Sequence, residues 1–316
     1  MPSHPAAPDA TEHTGDHRHM TARIPLPHPL ALRPFTPADA RASGIARGRL
    51  RGTDLASPYY GVRVPTTAEL SFIQRCQAFA ARMPDDAFFN SLTAARLHGA
   101  PLPHQVEASI TIHVARPAPA SAVAVRGVAG HQVTLMGDDM RLLRGVRVSS
   151  PVRAWCEVAQ HVSLPDLVAV GDYIAHWRLP LATVDEIREG TAWYPGRRGL
   201  GTLRAALPLL NDRSESRRES LFRVFLATHG LTGFEANYPV TLFGKNHRID
   251  IAFPAAMVAF EYQGEYHFTK EQRRKDMTRR ARLEAAGWHV MELNVDDLAD
   301  HNELEARIRA FLAKWS

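Results

Sequence analysis

The chain has 316 residues, 45% hydrophobic and 22% charged, which is ordinary for a globular protein with room for two or three domains. Two cysteines, Cys76 and Cys156, lie far apart without CxxC spacing, so neither a disulfide framework nor a structural zinc site is supported, and a reducing, cytoplasmic setting is expected. No apolar run approaches the ~18–20 residues of a membrane span, and the net charge of +5 permits nucleic acid without demanding it.

Residues 1–32 are rich in Pro, Ala and His, lack an apolar segment of signal-peptide type, and read as a disordered tail in which Met20 is a second candidate start. His13, His17 and His19 cluster there, and a solvated tail accounts for them better than a metal site, because a flexible segment offers nothing to orient the rings. Residues 33–66 read as a small module. Thr36 caps a short helix with Pro37 at its first position. A second short helix carries Arg47, Arg49 and Arg51, and YYGVRVP alternates as a strand. Two short helices and a strand suit a winged helix-turn-helix with those arginines facing DNA. The competing reading is a helical hairpin with solvated arginines.

Residues 67–212 read as α+β. Helical spacing covers AELSFIQRCQAFAARM and SLTAARLHG, the latter with Ser91 as cap and Gly99 as stop. The runs SITIHVA, VAVRGVAG, HQVTLM and VRVSS look like strands, and PVRAWCEVAQHV and LPDLVAVGDYIAHWRL like helices. A boundary falls near Asp212. Residues 213–316 follow the order α-β-β-β-α-β-α. Ser216 and Glu219 open the first helix as a capping box. YPVTL, HRIDIAF and MVAFEY are strands. A helix over about 270–286 stops at Gly287, and WHVMEL and ELEARIRAFLAKW close the chain.

The chemistry gathers in this last part. Asp250 sits among the apolar residues of one strand, and Glu261 ends the next. Carboxylates there are costly without a partner and repel one another unless a cation lies between them. Mg²⁺, or Mn²⁺ in its place, is the natural cation: hard, oxygen-seeking and able to activate water against a phosphate. The alternative is exposed edge positions or ion pairs with Arg248 and the basic helix. Gln263, two residues past Glu261, points to the same side of the strand and can orient water or a phosphate. Glu219 is either a third carboxylate or simply a helix cap. Between Lys270 and Arg282 stand seven basic and two acidic residues, including Lys270, Arg273, Arg274 and Lys275, which suit a phosphate backbone. A solvated helix face with an Asp276–Arg280 pair is the competing view.

The pattern of Asp250, Glu261-Tyr262-Gln263 and an upstream helix bearing Glu219 resembles the PD-(D/E)XK nuclease superfamily. The continuation Gly264-Glu265-Tyr266-His267 and RRKDMTRRARLEAAGWHVMEL is similar to a bacterial family related to very-short-patch repair endonucleases. That resemblance covers nearly all of 214–316. It implies a restriction-endonuclease-like α/β core, a Mg²⁺-dependent endodeoxyribonuclease activity, metal ligands at Asp250, Glu261 and Glu219, and His267 as a proton carrier, unless His267 merely bonds to backbone. The superfamily's usual lysine is Gln263 here, a replacement that occurs in some active type II restriction enzymes. Over about 33–190, FTPADARASGIARGRLRG…GVRV, SLTAARLHGAPLP and RGVRVSSPVRAWCEVA resemble proteins similar to the AbiEi-type antitoxins, which implies a winged-helix DNA-binding repressor. The expectation is a nuclease with an N-terminal DNA- or partner-binding region, the partners being DNA and a homodimer mate or a toxin-like protein. The alternative is an antitoxin-like repressor carrying an inactive nuclease fold.

Overall fold

A computed structural model describes residues 24–65, 70–262, 270–294 and 296–315, with the side chains of 270–273, 275 and 276 outside that description. In chain order the elements are α1 (His28–Ala31), α2 (Pro37–Ala42), a 3₁₀ turn (Arg47–Arg51), β1 (Leu55–Ala56), β2 (Val64–Pro65), α3 (Phe72–Ala80), β3 (Phe88–Phe89), α4 (Ser91–Leu97) and α5 (His104–Glu107). Then come β4 (Ile112–Pro117), β5 (Val128–Val133), β6 (Met140–Leu143), β7 (Val146–Ser149), α6 (Pro151–Val158), α7 (Leu164–Ala175), α8 (Val184–Trp193) and α9 (Leu200–Ala206). The last third holds α10 (Arg217–Thr228), β8 (Glu235–Leu242), β9 (Lys245–Phe253), β10 (Val258–Tyr262), α11 (Lys270–Ala285), β11 (His289–Leu293) and α12 (His301–Leu312). The class is mixed α/β. No described helix is long and apolar enough to cross a membrane.

The first module is built on Leu30, Phe35, Ala40 and Leu50, all buried together. Residues 24–32 therefore do not belong to a disordered tail as expected, because Leu30 buries its side chain against this cluster from α1. Met20, His13, His17 and His19 lie outside the described residues. Thr36 caps α2 in a reciprocal box with Asp39. The expected basic helix is a 3₁₀ turn, and β1 and β2 form a short antiparallel ladder.

A five-stranded mixed sheet follows, in the order β5-β4-β3-β7-β6. Two of its features differ from the sequence expectation. VAVRGVAG is not one strand: Val123 packs on the core, and its carbonyl lies where a Cβ on Gly130 would sit, 2.0 Å away. MRLL pairs with VRVS as a hairpin, turning at Arg144-Gly145 with φ of 50° and 80°, the left-handed pair that suits a two-residue turn. Asn90 rather than Ser91 is the N-cap residue of α4, and the Ser91 N–H donates to the buried Glu157 carboxylate at 2.8 Å. Glu157 also accepts from Arg153 and Ser149, so its charge is neutralised where it is buried. Helices α4, α6, α7, α8 and α9 close a second core around Trp155, whose indole N–H donates to the Leu167 carbonyl at 2.8 Å.

The C-terminal sheet has the order β11-β10-β9-β8, with β10 and β11 parallel and the other pairs antiparallel. The β8–β9 hairpin turns at Phe243-Gly244, with φ of 50° and 76°. Apolar residues of α10 and α12 cover one face of this sheet, through Phe222, Phe225, Leu304 and Ile308; Leu283 of α11 and Trp288 cover the other. Helix α10 also packs on α7. Asp172, 1% exposed, accepts from Arg223 and Ser220 at 2.6 Å each and from the Asn211 N–H at 2.7 Å. The boundary near Asp212 is thus bridged by a buried ion pair, and α10 is fixed against both cores. That anchoring holds Glu219 in place.

A candidate acidic centre and its cationic rim

The strands β9 and β10 pair through Phe260 and Ile251, and one step further along stand Glu261 and Asp250. Asp250 Oδ2 accepts the Tyr262 N–H at 2.9 Å, which ties the two strands where their ladder ends. On the other side, the β8–β9 register skips the Asn237–Asp250 position, and Asn237 takes a left-handed φ of 52°. Its amide donates to Glu219 Oε2 at 3.0 Å. Glu219 also accepts the Glu215 N–H at 3.0 Å. The expected capping box is therefore half made. Ser216 Oγ accepts the Glu219 N–H, but the Glu219 carboxylate turns to Glu215 and Asn237 rather than back to the cap. Three carboxylates, from α10, β9 and β10, thus lie near enough to repel one another.

Their electrostatics follow. Burial pushes Glu219 up to about 7, and the neighbouring Asp250 charge adds to it. Burial and then Asp250 push Glu261 up to about 8. Asp250 is raised by burial against the Tyr262 N–H and Arg279, which favour its charge. Arg279 of α11 is the cation that answers them. Its Nη2 lies 2.7 Å from Glu261 Oε2 and 3.6 Å from Asp250 Oδ1, and it also donates to the Arg248 carbonyl. Burial first, and then the repulsion among the carboxylates that Arg279 only partly offsets, favours the protonated acids. Among the described residues no three His, Cys, Asp or Glu groups stand ready-made around a metal ion. The carboxylate oxygens of Asp250, Glu261 and Glu219 are the hard donors that could hold a divalent cation if they closed on it.

Beside the centre opens a cavity of about 300 Å³ lined by Arg178, Glu215, Asn237, His247, Arg248, Asp250 and Arg279. Arg178 and Arg248 both pair with Glu215, at 3.2 and 3.4 Å. Trp177 stands behind them, with the guanidinium carbons of Arg248, Arg178 and Arg213 at 4.6, 4.7 and 5.3 Å from its ring centroid.

No family model matches the chain. Over 268 residues, 84% of its length, it is 30% identical to two proteins of Mycobacterium tuberculosis: uncharacterized protein Rv2248 of strain H37Rv and uncharacterized protein MT2308 of strain CDC 1551. The match covers 94% of each. The chain belongs to the family of these mycobacterial proteins. A match of that length exceeds the region before Asp212, so the family shares both the upstream part and part or all of the C-terminal sheet.

The residues expected to act on a substrate divide into three groups. Asp250, Glu261 and Glu219 come together as described. Gln263 and His267 lie outside the described residues, as do the side chains of Lys270, Arg273 and Lys275, while Arg274 is exposed on α11. Arg280 hydrogen-bonds Glu284 at 2.9 Å and pairs with Glu292 at 3.2 Å. In the first module Arg47 and Arg51 are exposed, whereas Arg49 is held by Asp54 at 2.6 Å with its side chain only 9% exposed, so its guanidinium is already committed. Sequence reasoning missed Asn237, Arg178 and Trp177 as parts of the site. Arg248 and the basic helix that carries Arg279 entered it only as ion-pair partners of the carboxylates.

Proposed function

We propose that the chain is a Mg²⁺- or Mn²⁺-dependent endonuclease that hydrolyses phosphodiester bonds of DNA, with an N-terminal region that binds DNA or a partner. The observation that carries this reading is the convergence of Asp250, Glu261 and Glu219, with Glu219 and Glu261 pushed up to about 7 and 8 by burial and mutual repulsion. A bound divalent ion would neutralise that cluster and activate water for attack on phosphorus. The order α10-β8-β9-β10-α11-β11 adds support, since it follows the core expected of the PD-(D/E)XK superfamily. In the first module, α2, the 3₁₀ turn with exposed Arg47 and Arg51, and the β1–β2 ladder support a winged-helix-like reading, with DNA, a second copy or a toxin-like protein as partner. The test is supercoiled plasmid incubated with purified protein and Mg²⁺. Nicking is expected from the wild type and not from Asp250→Ala; nicking that survives that substitution removes the reading.

A second reading, an antitoxin-like repressor with an inactive nuclease fold, is favoured by one observation. Arg279 already clasps Glu261 and approaches Asp250, as a purely structural ion pair would. Footprinting on the chain's own promoter decides it: a protected site without metal-dependent cleavage supports the repressor, and cleavage without protection rules it out.

A further inference from the structure

The upstream part of the chain supplies one wall of the cavity beside the acidic centre. Residues 176–178 follow α7, yet Arg178 lines the same space as Asp250, Arg248 and Arg279. The Trp177 N–H donates to the Asp212 carbonyl at 3.0 Å, which pins this segment to the linker into α10. Among the described residues the rim carries the guanidiniums of Arg178, Arg248 and Arg279 against the carboxylates of Glu215 and Asp250. Glu215 answers both Arg178 and Arg248, and His176 Nε2 lies 3.8 Å from it. Arg178 and Arg248 both lie against Trp177, 4.7 and 4.6 Å from its ring centroid, and the indole helps to fix where their planar guanidiniums stand. His247 also lines the cavity, and its Nε2 is buried with no hydrogen-bond partner among the described residues. A buried ring nitrogen without a partner is costly unless a ligand atom completes it.

We propose that this cavity seats a phosphodiester of the nucleic-acid backbone, held by Arg178 from the upstream part and by Arg248 and His247 from β9. His247 donates from Nε2 in the tautomer protonated there. The ligand class follows from the chemistry. Two guanidiniums with fork geometry and an imidazole donor match the anionic oxygens of a phosphate. Arg279, paired with Glu261 and 3.6 Å from Asp250, stands between the seat and those carboxylates, so the seat is open to an anion without a metal ion. The inference rests on the nuclease reading for its substrate and extends it, since it makes residues 176–178 part of the site rather than of a separate module.

The probe is thymidine 3′,5′-bisphosphate, titrated calorimetrically in EDTA, with a short fluorescent DNA duplex as a second ligand read by anisotropy. Arg178→Gln is expected to weaken both by about tenfold, the value of a lost charge-assisted phosphate contact, and to flatten the salt dependence of duplex binding by about one phosphate. The Arg178 side chain is 55% exposed, so the fold should tolerate the change. Arg188→Gln, an equal charge change outside the cavity with a side chain 59% exposed, is expected to leave both affinities as in the wild type. Wild-type binding lost in Arg178→Gln, even in a protein that never cleaves DNA, upholds the seat while removing the hydrolase reading. Metal-dependent cleavage with KM and kcat unchanged in Arg178→Gln overturns the seat and leaves the hydrolase reading standing. Equal losses in Arg178→Gln and Arg188→Gln, or no binding of either ligand by the wild type, overturn it as well.

Discussion

Replacing Arg279 by glutamine removes the guanidinium paired with the acidic centre while keeping a polar side chain. The guanidinium stands 2.7 Å from Glu261 and 3.6 Å from Asp250. A pair of full unit charges near 4 Å would be worth ~4 kcal/mol at the effective dielectric of a partly buried site, an upper bound here because Glu261, pushed up to about 8, carries only part of its charge at neutral pH. Proton uptake by Glu261, already pushed up to about 8, recovers part of that. The metal-free variant should therefore unfold with a loss on the order of 2 kcal/mol, below the ~3–5 kcal/mol of breaking a buried pair outright. For a divalent ion the sign reverses. An ion seated on the same carboxylates would face the guanidinium at a similar distance, so Arg279 must withdraw before it can bind well. Arg279→Gln should then bind Mn²⁺ at least about tenfold more tightly, a gain of ~1.4 kcal/mol. Electron paramagnetic resonance of free Mn²⁺ gives the affinity, and thermal unfolding in EDTA and in Mg²⁺ gives the two stabilities. Mn²⁺ affinity equal in the two proteins, or weaker in the variant, would refute the reasoning.

Other consequences are open to measurement. Glu219 and Glu261 are raised above their unfolded values near 4.5, so the folded protein holds protons that the unfolded chain releases. Stability without metal is then complete below about pH 4.5 and declines as pH rises through 7–8, by ~1.4 kcal/mol for every tenfold by which folding tightens a proton's hold. Denaturant titrations at several pH values should show the decline, and saturating Mg²⁺ should flatten it. Asp172→Ala leaves Arg223 buried without its partner and should cost about 3–5 kcal/mol, read by urea unfolding. Gly130→Ala places a methyl group where the Val123 carbonyl lies 2.0 Å away, and overpacking of about 1–3 kcal/mol should appear as a lower Tm.

How much of this was legible in the sequence depends on how far apart the interacting residues lie along the chain. Asp250 and Glu261 could be paired from the sequence because both strands keep an apolar pattern and a short connection joins them. The hairpin at Phe243-Gly244 was marked by its glycine. Glu219 was found by a local rule that turned out half right, since the cap it was expected to close is satisfied by Ser216 alone. An ion pair of Asp250 and Glu261 with the basic helix was foreseen as the alternative to a metal, but not that Arg279 would make it, because the turn of α11 that faces the sheet is set by tertiary packing of Leu283. Asn237 and Trp177-Arg178 carried no local signal. Asn237 matters through a break in pairing opposite Asp250, and Arg178 through the docking of α7 on α10, both long-range facts. The strand at 140–143 was missed because MRLL lacks alternation and is held by its hairpin partner, with Leu142 left exposed.

The docking of α10 on α7 has a further consequence for how the molecule is made. A nascent chain emerges from its N-terminus, and domains tend to fold as they appear. Here the helical core that includes α7 lacks Val224 until α10 is synthesised, and Asp172 waits uncompensated for Arg223, fifty-one residues downstream. The upstream part thus finishes folding only once the first helix of the downstream part has left the ribosome. The acidic centre and the wall carrying Arg178 would be assembled in the same step.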